Sequence, residues 1–213
     1  LKLTRVIKLA SNENFLGPSP KALAAVRKVL KNSHYYPEGS SPLLRKALAE
    51  EFQVEPSQII VGNGSDEVIR LLCEAVLGPE DDVVCSQMGF IRFKQQALLM
   101  GANVIEVPMR EWRHDLPAMC EKVGPRTKII FVASPNNPTG TYNTIAQVEG
   151  ILKKIPTSTL LVLDEAYYHY AADRGDYPQS IPKWIGKYPN LVVLRTFSKA
   201  YGLAGLRVGL GVG

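Results

Sequence analysis

The chain has 213 residues, with 25 Lys plus Arg against 20 Asp plus Glu and 46% hydrophobic content. That mix excludes a disordered or fibrous chain, and the length allows a core of ordinary size in one large domain or two small ones. The net charge of +5 is spread without a block of like charge, so no polybasic nucleic-acid arm is indicated, although phosphate-bearing small molecules remain compatible.

From Leu1 to Pro18 there is no helical period, and Asn12-Glu13-Asn14-Phe15-Leu16-Gly17-Pro18 reads as an irregular arm. Ser19-Pro20 and Ser41-Pro42 each supply an N-cap and a proline at the first helical position, predicting helices that end near Leu30 and Phe52. Between them lies an aromatic loop, His34-Tyr35-Tyr36-Pro37. From Gln58 onward, short β-branched runs alternate with amphipathic segments, the pattern of βα units around a mostly parallel sheet. Strands are expected at Ile59 to Val61, Val83 to Cys85, Val104 to Val107, Lys128 to Val132, Leu160 to Leu163, Leu191 to Leu194 and Leu206 to Leu210. Helices are expected at Asp66 to Leu77, Phe90 to Met100, Pro117 to Val123 and Thr144 to Ile155. Several strand runs are apolar at consecutive positions, which suits strands covered on both faces.

Cys73, Cys85 and Cys120 are odd in number and widely spaced, so they build neither a disulfide framework nor a C-x-x-C metal site and read as buried thiols in a reducing compartment. The chain has no apolar run of membrane-spanning length and no signal pattern at its N-terminus, so a cytoplasmic protein without membrane or nucleic-acid partners is expected. His34, His114 and His169 lack metal-type spacing and read as structural or exposed, and no metal is expected. The chain begins at Leu1 without a Met and stops on Leu210-Gly211-Val212-Gly213 inside an expected strand. A fragment is the expectation.

In open α/β sheets ligands lie off the carboxyl ends of the strands, so the residues that follow each strand matter most. Gly62-Asn63-Gly64-Ser65-Asp66-Glu67 is a glycine turn opening a helix, suited to a phosphate or simply to a helix cap. Glu67 stands where a dinucleotide fingerprint would need its third glycine. Ser134-Pro135-Asn136-Asn137-Pro138-Thr139-Gly140 is a constrained loop that either presents amide side chains or is only a rigid turn. Asp164-Glu165-Ala166-Tyr167 places a carboxylate at the end of an apolar strand, where Asp164 needs a positive partner. Arg195-Thr196-Phe197-Ser198-Lys199, with Gly202, Gly205 and Arg207, gathers a lysine, a hydroxyl and an arginine among glycines. Together these loops offer a lysine amine, an anion site of Ser65, Ser198 and Arg207, an acid and a tyrosine hydroxyl. Pyridoxal phosphate, an aldehyde with a phosphate, a basic ring nitrogen and a phenolic oxygen, asks for that set.

The run Ser198-Lys199-Ala200-Tyr201-Gly202-Leu203-Ala204-Gly205-Leu206-Arg207-Val208-Gly209 resembles the cofactor-lysine segment of fold-type I aminotransferases. Asn136-Asn137-Pro138-Thr139-Gly140 and Asp164-Glu165-Ala166-Tyr167 resemble two further hallmark loops, in the same order. Leu9-Ala10-Ser11-Asn12-Glu13-Asn14, Leu16-Gly17-Pro18-Ser19-Pro20, Tyr36-Pro37 and Gly62-Asn63-Gly64-Ser65-Asp66-Glu67 most resemble the histidinol-phosphate aminotransferase family. The resemblance implies a three-layer α/β/α sandwich, with residues 1–40 as arm and first helix and residues 41–213 as a cofactor-binding large domain lacking the small C-terminal domain. It implies that Lys199 bonds to pyridoxal phosphate, that Asp164 pairs with the ring nitrogen, and that Tyr167 and Asn137 hydrogen-bond the ring oxygen. Ser65, Asp66, Ser198 and Arg207 would hold the phosphate, the first two through backbone N–H groups, and Tyr36 would reach the phosphate bound by a partner subunit in a homodimer.

Where many relatives carry Pro-Thr-Tyr, this chain has Gln87-Met88-Gly89-Phe90-Ile91-Arg92-Phe93. Phe90 is aligned with the ring-stacking position, with a helix-core role as the alternative. Arg92 and Lys94 face either a substrate phosphate or solvent, and Tyr35 and Tyr36 could also be an ordinary interface patch. The implied reaction transfers an amino group between L-histidinol phosphate and 2-oxoglutarate in histidine biosynthesis. The rivals are an aromatic amino-acid transaminase, a threonine-phosphate decarboxylase, and a non-catalytic cofactor platform.

Overall fold

A computed structural model describes residues 6–213; residues 1–5, the start of the expected arm, lie outside the described residues. The strands are β1 (Ile59–Asn63), β2 (Asp82–Ser86), β3 (Asn103–Val107), β4 (Thr127–Ala133), β5 (Leu160–Asp164), β6 (Leu191–Thr196) and β7 (Val208–Val212). The helices are α1 (Pro20–Leu30), α2 (Pro42–Phe52), α3 (Ser65–Val76), α4 (Ile91–Leu99), α5 (Leu116–Glu121), α6 (Ile145–Leu152) and α7 (Ser180–Trp184).

Side chains on a strand alternate between faces, so a strand apolar at every position must be covered twice. Val83, Cys85, Ile129, Phe131, Val162 and Leu194 pack with Val68, Ile69 and Cys73 of α3 and Phe93 and Ala97 of α4. The intervening Val84, Ile130, Val132, Leu161, Leu163 and Val193 pack on the other face with residues of α2, α5, α6 and α7. Two apolar layers enclosing one sheet make the expected helix–sheet–helix sandwich.

Sheet order is β1-β7-β6-β5-β4-β2-β3. Strands β2 to β6 pair in parallel, whereas β7 runs antiparallel to both β6 and β1. The chain steps outward from β2 to β3 and returns to place β4 on the other side of β2. That reversal opens a crevice at the carboxyl ends of β2 and β4, where a ligand site is expected in this architecture.

Three local features differ from expectation. The last strand starts at Val208, because Ala204–Leu206 forms a 3-10 turn and Arg207 sits at φ 54°. Ser41 does not cap α2: it is left-handed at φ 50° and its side chain makes no capping bond, whereas Ser19 accepts from the N–H of Ala22 as expected. Helix α7 was not anticipated, since five residues with an internal Pro182 carry almost no periodicity. α1 buries none of its residues.

Candidate active site

Gly64 precedes α3 at φ 80° and has no side chain to cap it. Helix N-termini carry unpaired N–H groups and a partial positive charge, so an uncapped start such as that of Ser65 and Asp66 suits an anion. A Cβ at Gly64 would collide with the Arg207 guanidinium, and one at Gly209 with the Gly64–Ser65 backbone. Glycine at both positions lets β7 bring Arg207 against the helix start. Its Nη1 donates to Ser198 Oγ at 3.3 Å and its Nη2 to Asn63 O at 3.1 Å, so Ser65, Ser198 and Arg207 converge. The Asp66 carboxylate accepts from Arg92 Nε at 2.6 Å and Nη2 at 3.0 Å, leaving its backbone to face the hollow. Arg92 is therefore occupied by Asp66, and Lys94 pairs with Glu106 at 2.5 Å, which removes both as free phosphate ligands.

Asp164 ends β5 at 4% exposure, and burial raises its carboxyl to about 6, against hydrogen bonding from Ala166 N–H and the nearby Lys199 charge. The expected cation partner goes to its neighbour instead. Glu165, fully buried, accepts from Arg195 Nε at 2.7 Å and Nη2 at 2.5 Å and from Ser180 Oγ at 2.6 Å. The Arg195 guanidinium lies 3.4 Å from the Tyr168 ring centroid. Successive strand residues face opposite sides, so only one of the two carboxylates could meet Arg195. Among the described residues Asp164 has no ion pair and faces the hollow.

Lys199 Nζ donates to Ser11 O at 2.9 Å and lies 5.4 Å from the Tyr167 ring centroid. Tyr167 Oη accepts from Asn12 Nδ2 at 2.9 Å, and Asn14 Nδ2 donates to Ala200 O at 3.0 Å. A Cβ on Gly202, at φ 67°, would strike the Gly17–Pro18 backbone. The arm therefore lies across the Ser198–Gly202 loop.

The Asn137 loop is fixed from several sides. Asn136 Nδ2 donates to Met88 O at 3.1 Å and Thr139 Oγ1 at 2.8 Å, and Thr141 Oγ1 donates to Trp112 O at 2.7 Å. The Asn137–Pro138 and Ser134–Pro135 bonds are both cis. Beneath the loop His114 is buried; its Nε2 donates to Ala133 O at 2.9 Å, and Nδ1 of the neutral ring accepts from Ser86 Oγ at 2.7 Å. Burial lowers this imidazole to about 4, outweighing its hydrogen bonds to Ala133 and Asn136. Phe90, half-buried just before α4, borders the hollow and also meets Phe93 edge-on at 5.6 Å.

One hollow is lined by Ser65, Asp66, Phe90, Asn137, Asp164, Tyr167, Ser198, Lys199 and Arg207, drawn from five strand ends. Tyr36 is not among them: it is fully exposed in the loop between α1 and α2. Sequence reasoning missed the Glu165–Arg195 pair, although an arginine directly after the apolar run Leu191 to Leu194 was the signal that a buried acid must meet it. It also missed the backbone contacts of Ser11 and the His114 tie. Among the described residues no group of three or more His, Cys, Asp and Glu is placed to hold a metal ion.

The donor set fits pyridoxal phosphate. An uncapped helix start beside an arginine suits the phosphate, a buried carboxyl suits a protonated ring nitrogen, and a half-buried lysine opens into the same space. The family model described as "Aminotransferase class I and II" matches residues 4–213. The chain is 47% identical over 210 residues to a histidinol-phosphate aminotransferase of Brevibacillus brevis, covering 99% of this chain and 57% of that protein. It thus spans a little over half the length of the curated relatives it matches. The crystal structure of histidinol-phosphate aminotransferase from Sinorhizobium meliloti in complex with pyridoxal-5'-phosphate superposes with a TM-score of 0.87 at 32% identity, covering 95% of this chain and 55% of that one. Aspartate aminotransferase from Thermus thermophilus with maleate gives a TM-score of 0.85 at 25% identity, covering 96% and 56%.

Proposed function

Because the chain belongs to the class I and II aminotransferase family, we propose that it forms the cofactor-binding part of a pyridoxal-phosphate transaminase acting on L-histidinol phosphate and 2-oxoglutarate. The observation that carries this reading is the convergence of Lys199, Asp164 and Tyr167 in one hollow with the uncapped start of α3, Ser198 and Arg207. The substrate assignment rests on likeness to the Brevibacillus brevis and Sinorhizobium meliloti proteins. In this reading residues 1–40 are an arm with its first helix, and residues 41–213 are the cofactor-binding domain.

When bound, pyridoxal phosphate supplies an electron sink for charge developing at the substrate α-carbon. Lys199 Nζ would be the covalent attachment point for that group and, when free, would move the proton to and from the substrate α-carbon. Asp164 Oδ holds the proton on the ring nitrogen, and Tyr167 Oη and Asn137 Nδ2 fix the ring oxygen. The N–H groups of Ser65 and Asp66, Ser198 Oγ and the Arg207 guanidinium hold the phosphate, while Phe90 bears on the ring face.

Tyr36 takes part only in a homodimer, reaching the phosphate bound by the second copy. The dimer is supported by apolar surface left open in one copy: Ile7, Leu9, Phe15 and Leu16 are 71–95% exposed and α1 buries nothing. A cytoplasmic setting is supported by three free cysteines, two of them buried thiols raised to about 12 by burial. Among the described residues no helix is long and apolar enough to cross a membrane.

The test is substrate profiling of the purified protein with 2-oxoglutarate as acceptor. L-Histidinol phosphate should give L-glutamate at a kcat/KM at least tenfold above that for phenylalanine. Preference for phenylalanine would convert the reading to an aromatic transaminase, and release of carbon dioxide from threonine phosphate to a decarboxylase.

A further inference from the structure

His114 is a buried polar side chain that the proposed chemistry leaves unused. It stands outside the lining of the Lys199 hollow and comes from the segment between β3 and α5. An imidazole out of contact with water is costly unless both ring nitrogens are bonded. The Ala133 carbonyl can only accept, so Nε2 must donate to it, and Nδ1 of the neutral ring takes the Ser86 hydroxyl proton. Burial keeps the ring neutral down to about 4, so this donor-and-acceptor form holds at neutral pH.

The two partners sit at informative places. Ser86 ends β2 and Ala133 ends β4, the parallel neighbours between whose carboxyl ends the crevice opens. Phe90 follows Ser86 by four residues and Asn137 follows Ala133 by four, and each is a wall of the hollow. The turn leading to Phe90 is closed by Gly89 N–H on Ser86 O at 3.0 Å and lies on the imidazole, since a Cβ at Gly89 would come to 3.7 Å from His114 Cε1. On the other side the His114 carbonyl accepts from Asn143 Nδ2 at 3.0 Å, and Asn143 N–H donates to Ser134 Oγ at 3.0 Å. One residue therefore holds the root of the Phe90 turn and both ends of the Asn137 loop.

We propose that His114 is a positioning residue for the cofactor: by bonding both strand ends it sets the separation of Phe90 and Asn137, and with it the grip on the ring of pyridoxal phosphate. This rests on the reading of the hollow as a pyridoxal-phosphate site. Ser65, Asp66, Asp164, Ser198, Lys199 and Arg207 adjoin β1, β5, β6 and β7 and do not hang on this brace. Its loss should loosen the hold on the ring and leave the attachment point in place.

The experiment titrates the cofactor-free protein with pyridoxal phosphate and follows absorbance, with amide hydrogen exchange and urea unfolding measured on the same samples. His114→Phe keeps a flat ring without either hydrogen bond, His114→Gln keeps one donor and one acceptor, and Ser86→Ala removes the hydroxyl alone. His114→Phe should raise the dissociation constant for pyridoxal phosphate roughly tenfold, the order expected for a lost buried hydrogen-bonding pair. It should also speed exchange at Ser86 to Phe90 and Asn136 to Thr141 while Asp164 to Tyr167 and Ser198 to Gly202 keep their wild-type rates. His114→Gln should recover most of the affinity, and Ser86→Ala added to His114→Phe should cost nothing further. A His114→Phe protein that unfolds more easily yet binds pyridoxal phosphate as wild type does would make the bonds purely structural and overturn the proposal. So would a Gln variant as weak as the Phe variant, or exchange that quickens evenly around the hollow. Should His114→Phe fail to fold, Ser86→Ala alone decides: a weaker hold on pyridoxal phosphate is expected, and an unchanged one overturns the proposal. A wild-type protein that does not bind pyridoxal phosphate would instead overturn the underlying reading of the hollow, so the two failures are told apart.

Discussion

The carboxyl edge of the sheet and the N-terminal arm meet at the same lysine but are built in opposite ways. At the sheet edge, Glu165, Arg195, Ser180 and His114 are buried and hydrogen-bonded to one another or to strand ends. In the arm, Leu9, Phe15 and Leu16 are 71–95% exposed, and contact with the site runs through a few amide and carbonyl groups. The edge is stable within one chain, whereas the arm and α1 present apolar surface that a second copy would cover. The geometry of the hollow is therefore set by the edge, while the arm lies over Lys199 and leaves apolar surface open.

The largest effect should come from breaking the edge. Replacing Glu165 by Ala leaves Arg195 buried without its counter-charge and should cost about 3–5 kcal/mol in urea unfolding. A cost below about 1 kcal/mol would mean that the pair is not part of what holds the edge.

Next comes pH. His114 titrates near 4 in the folded protein against 6.5 ordinarily, so its contribution is present above 6.5 and lost as pH falls toward 4. That loss is about 3 kcal/mol. Asp164 titrates near 6 against 3.8, which has the opposite sign: folding is favoured below 3.8 and loses about 3 kcal/mol as pH rises through 6. The two largely cancel between pH 4 and 6.5 in the unmodified chain. Asp164→Asn should uncover the His114 loss on acidification, and His114→Gln the Asp164 gain, both read from unfolding free energy against pH. Parallel profiles for all three proteins would contradict the burial of these groups.

Smaller effects belong to the arm. Asn12→Ala should cost less than about 1 kcal/mol, because it removes a single neutral hydrogen bond, and Asn14→Ala, which removes two, less than about 2 kcal/mol. Leu16→Ser with Leu23→Glu, the latter on the exposed surface of α1, should change unfolding by less than about 0.5 kcal/mol yet shift the sedimenting species toward monomer. A large loss of stability without a change in association would reverse the contrast between edge and arm.

The contrast also accounts for what could be read from the residues alone. The strands were legible because apolar runs such as Ile129-Ile130-Phe131-Val132 are covered on both faces, and that pattern is visible without knowing the partners. The reversed sense of β7 was not, since periodicity carries no direction. Nine of the ten proposed site residues line one hollow, eight of them at or just after the carboxyl end of a strand and Arg207 just before β7, where this architecture gathers its loops. That Arg195 meets Glu165 and not Asp164 depends on where each carboxylate points at the end of β5, a matter of register. The Lys199–Ser11 contact spans 188 residues and has no local signature. Tyr36 lies apart from the hollow in one copy, so its proposed part belongs to assembly.

The central claim is that Lys199 is the attachment point of pyridoxal phosphate, and its most direct test is chemical trapping. The protein is loaded with pyridoxal phosphate, reduced with borohydride, digested, and its labelled peptide identified by mass. The account predicts a single stoichiometric pyridoxyl label on Lys199, absent in Lys199→Ala, whose circular dichroism remains that of the unmodified protein. Label on another lysine, or spread over several, would contradict it.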